Sequence, residues 1–316
     1  MDTLLELKTY QKSFPGVKAL EQVSFSVDRG QVHVLVGENG AGKSTLIKII
    51  NGIYMADEGD LYMEGKKVET HTPRHMMDLG VATIHQELSP VLDMSIAENI
   101  FLGRESMLID WKDMYAQAEK LIRALGFDYD PRAKMRSLTV SDMQIIEIIK
   151  ATSRNAKVII MDEPTSSITE SEVAVLFEQV KKLKAANIGI VYITHKLDEI
   201  FEIGDKATIL RDGRTISTHD VRELTKPQII AKMVGREMTE VYPPRHNTAG
   251  EVIMEVKGLT SEKYQNVSLK VRRGEILGMS GLVGSGRTEV MRAVFGLDPY
   301  ENGEIIYKGK KITEKM

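Results

Sequence analysis

No cysteine occurs among the 316 residues, which excludes a disulfide framework and any thiolate zinc module and agrees with a reducing compartment. Excess charge of one sign is missing as well: 42 basic residues face 45 acidic ones, a net charge of -3. So balanced a chain does not carry the overall basic signature of a nucleic-acid binder, and no nucleic-acid partner is expected. Long apolar runs are absent; stretches such as Val158 to Met161 fall far below the ~20 residues that span a bilayer. The N-terminus, MDTLLELKTYQKSF, holds acidic residues and no apolar run ahead of a small-residue cleavage site, so no secretory signal is read there. Cytoplasm is the default, and any crossing of a membrane falls to another subunit. The length suits two domains of ordinary size, or one large domain plus part of another.

What is present includes a repeat. At an offset of 244 residues, EGDLYMEGKKV (Glu58 to Val68) meets NGEIIYKGKKI (Asn302 to Ile312). Gly30, Gly37, Gly40, Gly42, Gly52, Gly59 and Gly65 recur as Gly274, Gly281, Gly284, Gly286, Gly296, Gly303 and Gly309. A unit of ~240 residues is a tandem duplication, since stacked repeats run to 20–50 residues. Between the copies EVYPPRHNTAGE, with two prolines and a glycine, reads as a linker. The expected organisation is a first domain over 1–239, a linker over 240–251, and over 252–316 the N-terminal part of a second domain that stops at Met316.

Within the first copy, QVHVLV (Gln31 to Val36), KVIIM (Lys157 to Met161) and IGIVYIT (Ile188 to Thr194) are short, apolar and β-branched. Runs of this kind suit a sheet buried on both faces. Helical patterns alternate with them: STLIKII before Gly52, AEKLIRAL before Gly126, and SEVAVLFEQVKKL, with Val173, Leu176, Phe177, Val180 and Leu183 on one face. The fold class is therefore α/β. The stretch from about Asp93 to Ala156 shows no comparable strand and is expected to be a mainly helical insertion.

The chemistry starts at Gly37-Glu38-Asn39-Gly40-Ala41-Gly42-Lys43-Ser44-Thr45, which fits G-x-x-x-x-G-K-[ST] between a predicted strand and a predicted helix. Such glycines let backbone N–H groups face a phosphate, and the helix N-terminus adds positive dipole. Lys43 is expected to reach the β and γ phosphates of ATP, and Ser44 to offer its hydroxyl to Mg²⁺; a Gly-rich turn with a chance GKS is the bland reading. VIIMDEP supplies Asp162 and Glu163 at the end of a strand. Asp162 can hold Mg²⁺ through water, and Glu163 can orient or deprotonate the attacking water, although two carboxylates can also simply end a solvated strand. Gln86, in ATIHQEL, and His195, after VYIT, are taken alone ordinary loop residues. With them a metal set of Ser44, Gln86 and Asp162 and a catalytic set of Glu163, His195 and Gln86 become possible.

Order along the chain lifts Gln86 and His195 out of the ordinary. P-loop, Gln86, LTVSDMQIIEIIKA, MDEPTSSIT and His195 in succession resemble the nucleotide-binding domain of ATP-binding cassette (ABC) proteins, a P-loop NTPase class with a helical subdomain. The resemblance implies that Phe14, in KSFPG, stacks on adenine, that Leu138, Thr139, Val140, Ser141 and Asp142 stand in the place of the LSGGQ signature, and that Ser166 to Thr169 form the D-loop. KSFPGVKAL, GENGAGKSTL, HQEL, MDEPTSS, THKLDEIF and the second cradle GLVGSGRTE narrow it to the ATPase subunits of bacterial monosaccharide importers, nearest the galactose/methyl-galactoside type with the ribose and xylose types close by. Such subunits carry two cassettes in one chain, so this chain resembles a first cassette followed by a truncated second. The partners implied are transmembrane permease subunits, indirectly a sugar-binding protein, and a second cassette or homodimer, at the cytoplasmic face of the membrane. The helical insertion and the loop after Gln86 are where the family contacts its permease.

In this family two cassettes close head to tail, each ATP lying between one P-loop and the opposite signature. The second P-loop, with Gly281, Gly286, Arg287 and Thr288, has arginine where the first has Lys43, and it would pair with LTVSD. Both departures thus fall in one composite site. Val140 and Ser141 replace glycines that permit close backbone approach, and Asp142 puts a carboxylate beside phosphate, which at ~4 Å costs several kcal/mol at an effective dielectric of ~20. Arg287 is a flat fork that would cradle phosphate differently from an ammonium. Ser141 with Gln144 also reads as a capping box opening the helix MQIIEIIKA. Two other readings stay open: a ribosome- or DNA-directed tandem cassette protein, disfavoured by the short linker and acidic balance, and a regulatory module that binds nucleotide without useful hydrolysis. His71 and His75 have a metal-like spacing, but Pro73 between them points to a plain surface loop; the 17 scattered methionines read as core filling.

Overall fold

A computed structural model describes residues 2–86, 88–104, 109–235, 249–282 and 284–312. The chain divides into two compact units, Met1–Thr239 and Glu240–Met316. The expected linker 240–251 lies, up to residue 248, outside the described residues.

The first unit opens with the long strands β1 (Thr3–Phe14) and β2 (Val17–Asp28), then β3 (Val32–Val36), α1 (Lys43–Ile50), β4 (Glu58–Met63), β5 (Lys66–Lys67), α2 (Pro73–Asp78) and β6 (Val81–Ile84). Three helices follow, α3 (Ile96–Phe101), α4 (Trp111–Ala124) and α5 (Val140–Thr152), with no strand among the described residues between them. The unit ends with β7 (Val158–Asp162), α6 (Glu170–Ala185), β8 (Gly189–Ile193), α7 (Leu197–Ile203), β9 (Lys206–Arg211), β10 (Arg214–Asp220) and α8 (Lys226–Val234).

Two sheets result. One is antiparallel in the order β2-β1-β4-β5; the other runs β10-β9-β3-β8-β7-β6. In the second, β6, β7, β8, β3 and β9 are parallel and only β10 is antiparallel. Every residue of β3 and β8 is buried, which is what a parallel sheet covered on both faces demands of its central strands. Alternation sorts them: Val34, Ile159, Met161, Ile190 and Tyr192 join α5 and α6 in one core, whereas Leu35, Ile160, Val191 and Ile193 join α1 and the antiparallel sheet in the other. The α1 helix thereby packs between residues of the two sheets, with Leu46, Ile47, Ile49 and Ile50 in their shared core.

The second unit holds β11 (Val252–Ser261), β12 (Tyr264–Arg272), α9 (Arg287–Val294), β13 (Asn302–Tyr307) and β14 (Lys310–Lys311), in a sheet ordered β12-β11-β13-β14. That order is the one seen in the first unit's antiparallel sheet. Backbone conformation repeats as well: φ is 105° at Gly59 and 113° at Gly303, and even the non-glycine turn residues Glu64 and Lys308 share φ values of 49° and 48°.

Two local expectations change. The capping box that opens α5 is not Ser141 with Gln144 but Thr139 with Asp142, which starts the helix earlier. Asp142 is an equally good third residue for the motif, and starting there leaves Gln144 free to be buried, 4% exposed, with its amide donating to the Pro164 carbonyl. His75 sits not in a loop but in α2, which Pro73 starts under a Thr72 cap; His71 falls outside that helix, so the pair does not share a helical face.

Candidate functional site

The site is assembled at the C-terminal ends of β3, β7 and β8, where an open α/β sheet presents its loops. β3 delivers Gly37, and α1 starts at Lys43 behind Gly42, whose φ is 102°. A side chain at Gly42 would meet the Ala19 carbonyl at 2.7 Å and Leu20 at 2.8 Å, so glycine is demanded by both space and backbone. Gly37 is pinned as closely, since a Cβ there would lie 2.4 Å from the Leu210 carbonyl oxygen. Lys43 Nζ folds over the loop, donating to the Gly37 carbonyl at 2.7 Å and the Glu38 carbonyl at 3.0 Å. Burial pushes the Lys43 ammonium below its ordinary pKa, with Glu163 and Asp162 pulling the other way. The lysine therefore stands in the field of both carboxylates.

Glu163 is the meeting point. Gln86 Nε2 donates to its Oε2 at 3.2 Å, and His195 Nδ1 lies 3.2 Å from its Oε1. Gln86 and His195, each an ordinary loop residue on its own, are thus brought from distant parts of the chain onto the carboxylate that ends β7. The backbone of Glu163 is in the left-handed region, φ 46°, a conformation that costs a non-glycine residue roughly 1–2 kcal/mol. It is held there by its N–H, which donates to the Ile193 carbonyl at the end of β8 at 3.0 Å. Strain held at such a position is characteristic of functional sites.

Asp162, one residue earlier, has its pKa raised, by burial first and by the Glu163 charge second, with His85 and Lys43 opposing. Two adjacent carboxylates that share the Lys43 ammonium, which Ser44 and Thr45 follow at the start of α1, fit a hard divalent cation. No group of three or more His, Cys, Asp or Glu forms a cage among the described residues. Mg²⁺ needs none, since it keeps several waters and takes the rest of its shell from one or two carboxylates and phosphate oxygens.

Phe14 ends β1 half-exposed, and its ring meets Tyr54 edge to face, centroids 5.4 Å apart. Lys12 Nζ stands 5.6 Å from the same ring. Tyr54 escapes sequence reading because its partner comes from a strand far back in the chain. Leu138 to Asp142 occupy the start of α5, where Val140 is exposed. Asp142 accepts from the Tyr129 hydroxyl at 2.6 Å and the Thr139 hydroxyl at 2.7 Å. Burial raises its pKa, yet these hydrogen bonds outweigh that and leave it lowered. The carboxylate is thus committed to local hydrogen bonds. Thr169, at the end of the stretch expected to be the D-loop, forms with Glu172 the box that opens α6.

A cleft of about 410 Å³ opens next to Gln86, lined among others by Met76, Met77, His85, Leu88, Lys150 and Arg154. In the second unit α9 starts at Arg287 behind Gly286, φ 83°, the same arrangement as at Lys43. The Arg287 stem runs alongside Gly281, its Cδ 3.5 Å from where a Cβ there would sit; Thr288 follows in the first turn of α9.

Among the described residues no helix is long and apolar enough to cross a membrane. A family model described as "ABC transporter" matches residues 20–166 and 264–316. The chain is 47% identical, over 98% of its length, to a putative ribose/galactose/methyl galactoside import ATP-binding protein of Rhizobium etli. It is 47% identical over 98% to a galactose/methyl galactoside import ATP-binding protein of Clostridium perfringens. The chain spans 61% of each of these relatives. Its fold is similar to a crystal structure of the ADP conformation of an ATP-binding cassette of an ABC transporter, with TM-score 0.67 and 27% identity, covering 75% of this chain and all of that one.

Proposed function

The chain belongs to the ABC transporter family, and we propose that it is an ATP-binding and ATP-hydrolysing subunit that powers import of a monosaccharide of the galactose, methyl-galactoside or ribose type. The sugar-import names of its relatives support the substrate class. The observation that carries the catalytic part is the convergence of Gln86 and His195 on Glu163 next to the P-loop lysine.

In this reading Lys43 would turn from the loop carbonyls to the β and γ phosphates, and Ser44 and Asp162 would hold Mg²⁺. The ion would supply charge neutralisation on the transferring phosphoryl group. Glu163, clamped by its backbone and two side-chain contacts, orients and deprotonates the attacking water. His195 would contact the γ-phosphate, and Gln86 would couple the cluster to the cleft that its neighbour His85 lines. A helix of a permease subunit is the proposed occupant of that cleft, which would place the protein on the cytoplasmic face of a membrane.

The second unit is proposed to be the start of a second cassette, supported by its repeated strand order and by the family match over 264–316. The Lys43 site would need a signature from elsewhere, in a second cassette or a homodimer. Purified chain should therefore bind Mg-ATP but turn it over slowly. Glu163→Gln should lower single-turnover hydrolysis by roughly 10²–10⁴-fold while leaving Mg-ATP affinity in place. Loss of binding in that variant would remove Glu163 from the role of base.

A further inference from the structure

A second carboxylate lies behind the Glu163 cluster. Glu199, in the first turn of α7, is 5% exposed. It accepts hydrogen bonds from three hydroxyls: Thr165 at 2.6 Å, Thr194 at 2.7 Å and Tyr192 at 3.0 Å. Lys196 Nζ lies 3.5 Å from it and also donates to the Thr165 carbonyl at 2.9 Å. Thr165 is two residues past Glu163, and Thr194 directly precedes His195.

Burying a carboxylate costs several kcal/mol per ion, and an apolar side chain of similar volume often stabilises a core at least as well. Core filling therefore does not explain a glutamate here. What a carboxylate does, and a leucine cannot, is accept from two loops at once and so set the distance between them. The two loops are the ones that carry Glu163 and His195, whose side chains meet at 3.2 Å.

We propose that Glu199 is a positioning residue, holding the turn after β7 and the turn after β8 at the separation that keeps His195 on Glu163. The catalytic consequence rests on the proposed ATPase reading; the positioning itself does not. Two readouts on the full chain separate them. The first is the His195 imidazole signal in NMR, assigned with His195→Gln. Glu199→Gln should displace that signal about as far as Glu163→Gln does. The second is single-turnover hydrolysis, which Glu199→Gln should lower by roughly 10- to 100-fold with Mg-ATP affinity unchanged. Thr165→Val, which keeps the shape and deletes one hydroxyl, should reproduce both effects. The double variant should be no worse than the more affected single one, because both act through one contact. A Glu199→Gln protein that melts lower but leaves the His195 signal in place would overturn the proposal. Should Glu199→Gln fail to fold, the same outcome in Thr165→Val overturns it. Absence of any Mg-ATP binding by the unaltered chain would sink the ATPase reading, and the NMR comparison would still decide the role of Glu199.

Discussion

QVHVLVGENGAGKSTLIKII and EILGMSGLVGSGRTEVMRAV occupy equivalent places in the two units, yet only half of the pattern is realised twice. The helix forms in both: Lys43–Ile50 and Arg287–Val294 correspond residue for residue, each behind a left-handed glycine. The strand forms in one. Val32–Val36 is fully buried between β8 and β9, Val34 pairing with Tyr192 on one side and Ala207 on the other. Its counterpart in the second unit has no strand among the described residues, and Ile276 is 98% exposed. A helix closes its own hydrogen bonds within the segment, whereas a parallel strand needs neighbours delivered from far along the chain. The small core of the second unit, built on Val256, Leu259, Val290 and Ile305, contains no such neighbours.

The sharpest way to break this comparison is to truncate one side chain in each run. Leu35→Ala, at a side chain with no exposure, should destabilise the first unit by about 2–5 kcal/mol. Ile276→Ala should move the second by no more than about 0.5 kcal/mol. Denaturant unfolding followed separately in the two units decides it, and equal shifts would show that Ile276 is packed after all.

Acid offers a second handle. His33 is 1% exposed in β3, with its ring bonded to the Thr208 hydroxyl at 2.7 Å. Burial is the main cause that lowers its pKa from 6.5 to about 4. The folded state thus favours the neutral ring, so the contribution is complete above pH 6.5 and is lost as pH falls through 6.5 towards 4. The loss is on the order of 3 kcal/mol. Leu277 stands at the corresponding place in the second unit, which should show no such step. His33→Leu should flatten the pH dependence of the first unit.

The nucleotide cradles themselves should differ by a comparable amount. A charge-assisted hydrogen bond contributes about 1.5–3 kcal/mol, so if Lys43 makes the two phosphate contacts proposed for it, Lys43→Ala should weaken Mg-ATP binding roughly 100-fold or more. Arg287→Ala should weaken binding at that site by less than Lys43→Ala does at the first, because a flat guanidinium fork cradles phosphate differently from a compact ammonium. A larger loss at Arg287 would mean that the second P-loop, not the first, dominates binding.

Much of the site is legible in the sequence because its parts are local. The P-loop needs glycines at fixed spacing next to a strand and a helix, and MDEP and TH mark strand ends; each lies within one short stretch. The cap of α5 is ambiguous at that level, because Thr139, Ser141, Asp142 and Gln144 offer two overlapping boxes, and packing of Gln144 against Pro164 chooses between them. Glu199 leaves no mark in the sequence at all: in LDEIFE it resembles any surface acid of a helix, and its three hydroxyl partners come from β8 and the turns after β7 and β8.

Sequence by itself determined the glycine spacing of the P-loop, the alternation of strands and helices and the repeated motif pattern, because short-range spacing and periodicity encode all three. Tertiary structure alone decided that Gln86 and His195 meet on Glu163, that Glu199 lies behind them, and that one apolar run becomes a central strand while its twin does not. Each of those depends on which distant segments supply the facing hydrogen bonds, and spacing along the chain carries no record of that.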